Sequence, residues 1–148
     1  MTSIPKLLSN IISKPILKST PILPSCTYKT IIFLDWDDTL FPTTWIMQNN
    51  IDLITKYNFN HYTLFSKLDN ILYKLLLKLQ TYGKIIIVTN AILKWVNISL
   101  SLLPRTDHLI NKSILMISAR EICQKNSIDN ILIWKNIIFA NLIKKERV

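Results

Sequence analysis

Three carboxylates fall within four positions in Asp35-Trp36-Asp37-Asp38, followed at once by Thr39, and the apolar run Ile31-Ile32-Phe33-Leu34 leads straight into them. Acids held against a buried strand are costly unless a cation or hydrogen bonds compensate. In an extended chain, side chains two apart share a side, so Asp35 and Asp37 can enter one pocket. Oxygen ligands of this kind suit a hard divalent cation, Mg²⁺ first among them. A second polar end follows another apolar run: Lys84-Ile85-Ile86-Ile87-Val88 gives way to Thr89-Asn90. That pair offers a hydroxyl and a backbone N–H, both able to hold a phosphate oxygen. A third candidate, residues 113–117, leads to Ser118-Ala119-Arg120. Asp37-Asp38-Thr39 is also a good helix N-cap sequence, which is the plain alternative to a chemical role.

These polar ends need elements to position them. Short, continuous, β-branched runs at 31–34 and 84–88 predict strands buried on both faces, with a third strand at 113–117. Between the first two, residues 62–82 place Leu64, Phe65, Leu68, Ile71, Leu72, Leu75, Leu76 and Leu79 at helical spacing. Lys67, Asp69, Lys74, Lys78 and Gln80 fall on the opposite side, so the spacing predicts an amphipathic helix with those five toward solvent. Gly83 follows it, where a left-handed residue closing the helix is expected. Residues 92–103 predict a short helix closed before Pro104, and 130–145 a final helix. Strands alternating with helices imply crossover connections and a parallel sheet, with chemistry at the carboxyl ends of the strands. The expected fold is therefore α/β, a Rossmann-like core of about three strands.

Composition narrows the function further. A chain of 148 residues, 49% hydrophobic, with a mean hydropathy of +0.27, can bury a core. Gly83 is the only glycine, which excludes Walker A loops, GxGxxG fingerprints and GxSxG elbows. Cys26, Cys123, His61 and His108 show no zinc-site spacing and no disulfide framework, which points to a reducing, cytoplasmic setting. Both histidines are expected on loops. No apolar run is long enough to span a membrane. The net charge of +9 comes mostly from lysine in a chain rich in Ile and Asn, a compositional bias. Its aromatics are not interleaved with Lys as in stacking platforms, so no nucleic-acid partner is expected. Trp36, Trp95 and Trp134 read as packing residues. Residues 1–28 hold four of the six prolines and no acid, and read as a flexible basic leader; residues 29–148 read as the core domain. The leader's basic, acid-free character faintly resembles a mitochondrial transit peptide, although it has no Arg.

Residues 31–39 resemble the first motif of the haloacid dehalogenase-like (HAD) superfamily, an apolar strand followed by Asp-x-Asp-x-Thr. Residues 85–90 resemble its second motif, an apolar strand ending in Thr or Ser, and Lys135 matches the third-motif lysine. The longer strings Phe33-Leu34-Asp35-Trp36-Asp37-Asp38-Thr39-Leu40-Phe41-Pro42-Thr43, Val88-Thr89-Asn90-Ala91 with Trp95-Val96, Ser118-Ala119-Arg120 and Trp134-Lys135 are similar to a subgroup found in protists, fungi and large viruses. The resemblance spans about residues 29–140. It implies that Asp35 is a nucleophile forming an aspartyl-phosphate and Asp37 a general acid and base. Thr39 would support the turn that aims Asp37. Thr89 and the Asn90 N–H would orient phosphoryl oxygens, and Lys135 would neutralise charge. Mg²⁺ would be held by the Asp35 side chain and the Asp37 carbonyl. The resemblance also implies a fourth, acidic motif after a further strand, yet Glu146 is the only acid beyond Lys135. The expectation is thus a C-terminally shortened core with an incomplete Mg²⁺ site and an open edge on the first strand. Its function would be that of a weak or inactive phosphatase or phosphotransferase acting on a phosphorylated substrate. The alternative is a non-catalytic pseudoenzyme that keeps the phosphate pocket and uses the edge for a protein partner or self-association.

Overall fold

A computed structural model describes residues 30–54 and 59–146; the leader expected over residues 1–28 lies outside them. In order, the elements are β1 (Ile31–Leu34), α1 (Thr43–Gln48), α2 (Phe59–Gln80), β2 (Lys84–Thr89), α3 (Leu93–Leu100) and α4 (Pro104–Ser113). β3 (Leu115–Ser118), α5 (Ala119–Lys125), a 3₁₀ turn (Ile131–Ile133) and α6 (Trp134–Glu146) complete them. The three strands form one parallel sheet in the order β1-β2-β3. Ile31 lies opposite Lys84, and Thr89 opposite Ser118. The fold is mixed α/β around a three-stranded parallel sheet, an arrangement compatible with a Rossmann-like core.

Alternation along the strands builds the two sides of this sheet. Ile85 and Ile87 of β2 join one apolar cluster with α1 to α4, while Ile86 and Val88 join another with α5 and α6. β1 divides the same way, Ile32 and Leu34 against Ile31 and Phe33. A sheet covered on both faces needs apolar residues at every strand position, which is why these runs are continuous. β2 lies between two neighbours and is buried from Ile85 to Thr89, whereas all four residues of β1, at the edge among the described residues, are only half-buried.

Five expectations need correction. The buried stripe of α2 is Phe65, Asp69, Leu72 and Leu76, while Leu64, Ile71 and Leu75 face solvent. Asp69 is thus inside, 3% exposed, because it accepts hydrogen bonds from the amides of Arg105 (3.0 Å) and Thr106 (2.8 Å). Those amides open α4, so Pro104 starts a helix rather than merely ending one, as proline at a first helical position can. With α4 running to Ser113, β3 begins two residues later than the expected strand. Gly83 does not have a positive φ; a Cβ there would stand 2.5 Å from the Thr30 carbonyl oxygen. The same carbonyl accepts the Lys84 amide at 3.0 Å, so glycine is needed for close approach of two backbones, not for a left-handed turn. Finally, His61 and His108 lie on α2 and α4, not on loops.

Candidate active site

Parallel strands end at the same edge, and here that edge collects the polar residues that follow β1, β2 and β3. β1 stops at Leu34 and the chain continues through Asp35-Trp36-Asp37. Trp36 points into the core, fully buried, with its Nε1 donating to Ser99 Oγ at 2.9 Å and its ring stacked on Phe41. Its carbonyl oxygen accepts the amides of Thr39, Leu40 and Phe41, and Asp38 takes a left-handed conformation (φ 55°). This knot turns the chain back toward α1.

The two acids of the motif have separate partners. Asp35 accepts the Trp36 amide at 2.8 Å on Oδ1, and Lys135 Nζ stands 2.5 Å from its Oδ2. Lys135 arrives there because Trp134 is buried at the start of α6, donating Nε1 to the Ile128 carbonyl at 2.8 Å. The side chains of Lys135 and Asp35 are 27% and 36% exposed. So placed, the pair adds little to stability and remains open to a ligand. Asp37 accepts from Thr43 Oγ1 (2.6 Å) and Trp95 Nε1 (2.9 Å) on Oδ1, and from Thr89 Oγ1 (3.1 Å) on Oδ2. Ala91 N in turn donates to Thr89 Oγ1 at 2.9 Å. Asp35 with Lys135, and Asp37 with Thr89, are therefore brought together as pairs at one end of the sheet.

Other residues take different places. Thr39 is exposed, and the threonine hydroxyl on Asp37 from this turn belongs to Thr43. Asp38 does cap a helix: its carboxylate accepts the Thr44 amide (2.7 Å) and hydroxyl (2.5 Å) at the start of α1. Those bonds, the hydroxyl's foremost, hold its pKa below the usual carboxylate value. Asn90 follows β2 with its Oδ1 buried and unpartnered among the described residues, as is Arg120 Nε after β3. Trp95 was not legible as a site residue; helical spacing marks it as half apolar but cannot say that its N–H reaches an acid. An open hollow of about 640 Å³, lined by Leu53, Ile54, Lys94, Asn97, Ile98 and Ser101, shares none of these residues.

Mg²⁺ asks for one or two carboxylates, with water and substrate oxygens completing its shell. Asp35 supplies one such carboxylate. Among the described residues no group of three or more His, Cys, Asp or Glu side chains converges, so the donors fit the ion only with substrate and water filling most positions. Comparison with family models, curated proteins and solved structures finds no match. Among the described residues no helix is long and apolar enough to cross a membrane.

Proposed function

We propose that this chain is a HAD-like phosphatase or phosphotransferase domain with an aspartate nucleophile and slow turnover. The observation that carries the reading is the Lys135–Asp35 contact. A partly exposed carboxylate at the end of β1, paired with a partly exposed ammonium, is within reach of a ligand, and that ammonium could neutralise a phosphoryl group beside it. Asp35 would attack a phosphoryl group, forming the acyl phosphate as the bond to the leaving oxygen breaks. Asp37 would give that oxygen a proton and then take one from the water that hydrolyses the intermediate. Lys135 would balance the charge gathering on the phosphoryl oxygens. Thr89 would hold Asp37 while the amide of Asn90 meets the phosphate. Mg²⁺ would be held by the Asp35 side chain and the Asp37 carbonyl and would supply further charge neutralisation.

The test is hydrolysis of p-nitrophenyl phosphate by the full chain with MgCl₂. Turnover is expected to be measurable, to vanish in Asp35→Asn and to fall in Lys135→Ala. No turnover above the Asp35→Asn control overturns the enzyme reading. One observation favours a second reading, a non-catalytic domain that binds phosphate and recruits a partner strand: β1 is apolar, half-buried and paired on one side only among the described residues. Phosphate binding without turnover, with a mass above the monomer by light scattering, would select it.

A further inference from the structure

Ser118-Ala119-Arg120-Glu121 has the spacing of a capping box, in which the serine takes the amide three residues on and the acid reaches back to the serine's own amide. Half of the box is present: Ser118 Oγ accepts the Glu121 amide at 3.1 Å and caps α5. The glutamate is directed elsewhere. Its Oε1 accepts the amide of Leu93 at 2.7 Å, 28 residues back. Leu93 is the first residue of α3, where an amide has no carbonyl partner inside the helix, and the preceding Ile92 supplies no side-chain cap. Ser118 Oγ also donates to the Ala91 carbonyl at 2.7 Å. The short connection between β2 and α3 is therefore gripped at Ala91 and Leu93 from the β3–α5 corner.

Two of the three donors on Asp37 flank that connection, Thr89 at the end of β2 and Trp95 in the first turn of α3. Ala91 N holds Thr89 Oγ1, which donates to Asp37 Oδ2, and Trp95, in the first turn of α3, donates to Asp37 Oδ1. Only Thr43 comes from the turn of Asp37 itself. We infer that Ser118 and Glu121 are positioning residues, which set the β2–α3 connection so that Thr89 and Trp95 hold Asp37 in one orientation. The inference rests on the reading of Asp37 as the acid and base of the site. It predicts a coupling between residues that never touch, because a carboxylate on α5 governs the freedom of an acid after β1.

The experiment is amide and indole hydrogen exchange by NMR on the full chain, comparing the unmodified protein with Glu121→Ala, Glu121→Gln and Ser118→Ala. In Glu121→Ala, the Leu93 amide should exchange about tenfold or more faster, the loss expected for a hydrogen bond to a charged acceptor, and the Trp95 indole N–H should exchange measurably faster. The indoles of Trp36 and Trp134, bonded to Ser99 and Ile128, serve as controls and should keep their rates. Glu121→Gln keeps an oxygen acceptor and should recover most of the protection. Ser118→Ala should free the Trp95 indole as well, and decides the matter if Glu121→Ala does not fold. Unchanged exchange at Leu93 and Trp95, or equal acceleration of all three indoles, overturns the inference. In the phosphatase assay Glu121→Ala should lower kcat with little change in KM. An unmodified protein without turnover would remove the catalytic reading of Asp37, while the exchange rates still decide the positioning.

Discussion

Replacing Asp69 by alanine tests the least expected feature of the fold. Asp69 sits on the buried stripe of α2 and accepts the amides of Arg105 and Thr106, while its carbonyl accepts the Thr106 hydroxyl at 3.2 Å. These amides belong to the first turn of α4, whose first residue, Pro104, has no N–H and whose flanking Leu103 offers no side-chain cap. Asp69 is thus the cap of α4, supplied by another helix. Removing it should cost about 1 kcal/mol as a lost cap. Leaving the amide of the fully buried Thr106 without a partner adds about 1–3 kcal/mol. The amide of Arg105, an exposed residue, can turn to water, so the total is about 2–4 kcal/mol. For a domain of this size that lowers Tm by roughly 10 °C. Asp69→Asn keeps one oxygen for one amide but turns an NH₂ toward the other, and should cost about half as much. Urea unfolding followed by circular dichroism, with a calorimetric melt, measures both. The Arg105 guanidinium, bonded to Asn70 and lying over Tyr73, persists in both variants and cannot account for a difference. An Asp69→Ala protein within about 0.5 kcal/mol of the parent would refute the reasoning, as would an Asn variant as damaged as the Ala one.

Two further outcomes follow from the turns around the sheet. Gly83→Ala should destabilise by about 1–2 kcal/mol in urea unfolding, because a contact at 2.5 Å with the Thr30 carbonyl outweighs the entropic gain of alanine; a stabilised variant would show that β1 can retreat at no cost. Asp38 has a folded-state pKa below its ordinary 3.8, so its contribution to stability is complete above that value and is lost as pH falls through the lowered one. Thr44→Val removes the larger cause of that shift, and the stability gap between parent and variant should therefore narrow as the pH falls through and below 3.8. A gap that widens on acidification would refute the assignment.

The parts of the fold legible in the sequence are those that near neighbours encode. Continuous β-branched runs announced β1 and β2, and the acids after β1 announced where polar chemistry would gather. The missed parts are contacts whose partners lie far along the chain. Asp69 was assigned to solvent because helical periodicity treats a charge as outward-facing, and nothing local reveals two amides waiting 36 and 37 residues away. Trp95 joined the packing residues because spacing records which face of α3 is apolar, not where one N–H ends.

By itself, then, the sequence determined the alternation of β1, α2, β2, α3, β3 and α6 along the chain, and the cluster of acids after the first strand. Those follow from period and composition, which act over a few residues. Tertiary structure alone decided which donors each acid receives: Lys135 on Asp35, and Thr43, Thr89 and Trp95 on Asp37. A hydrogen bond needs two groups within about 3 Å and well aligned; the turn at Asp38 brings Thr43 to that range, and only the packing of β2, α3 and α6 against β1 brings Thr89, Trp95 and Lys135.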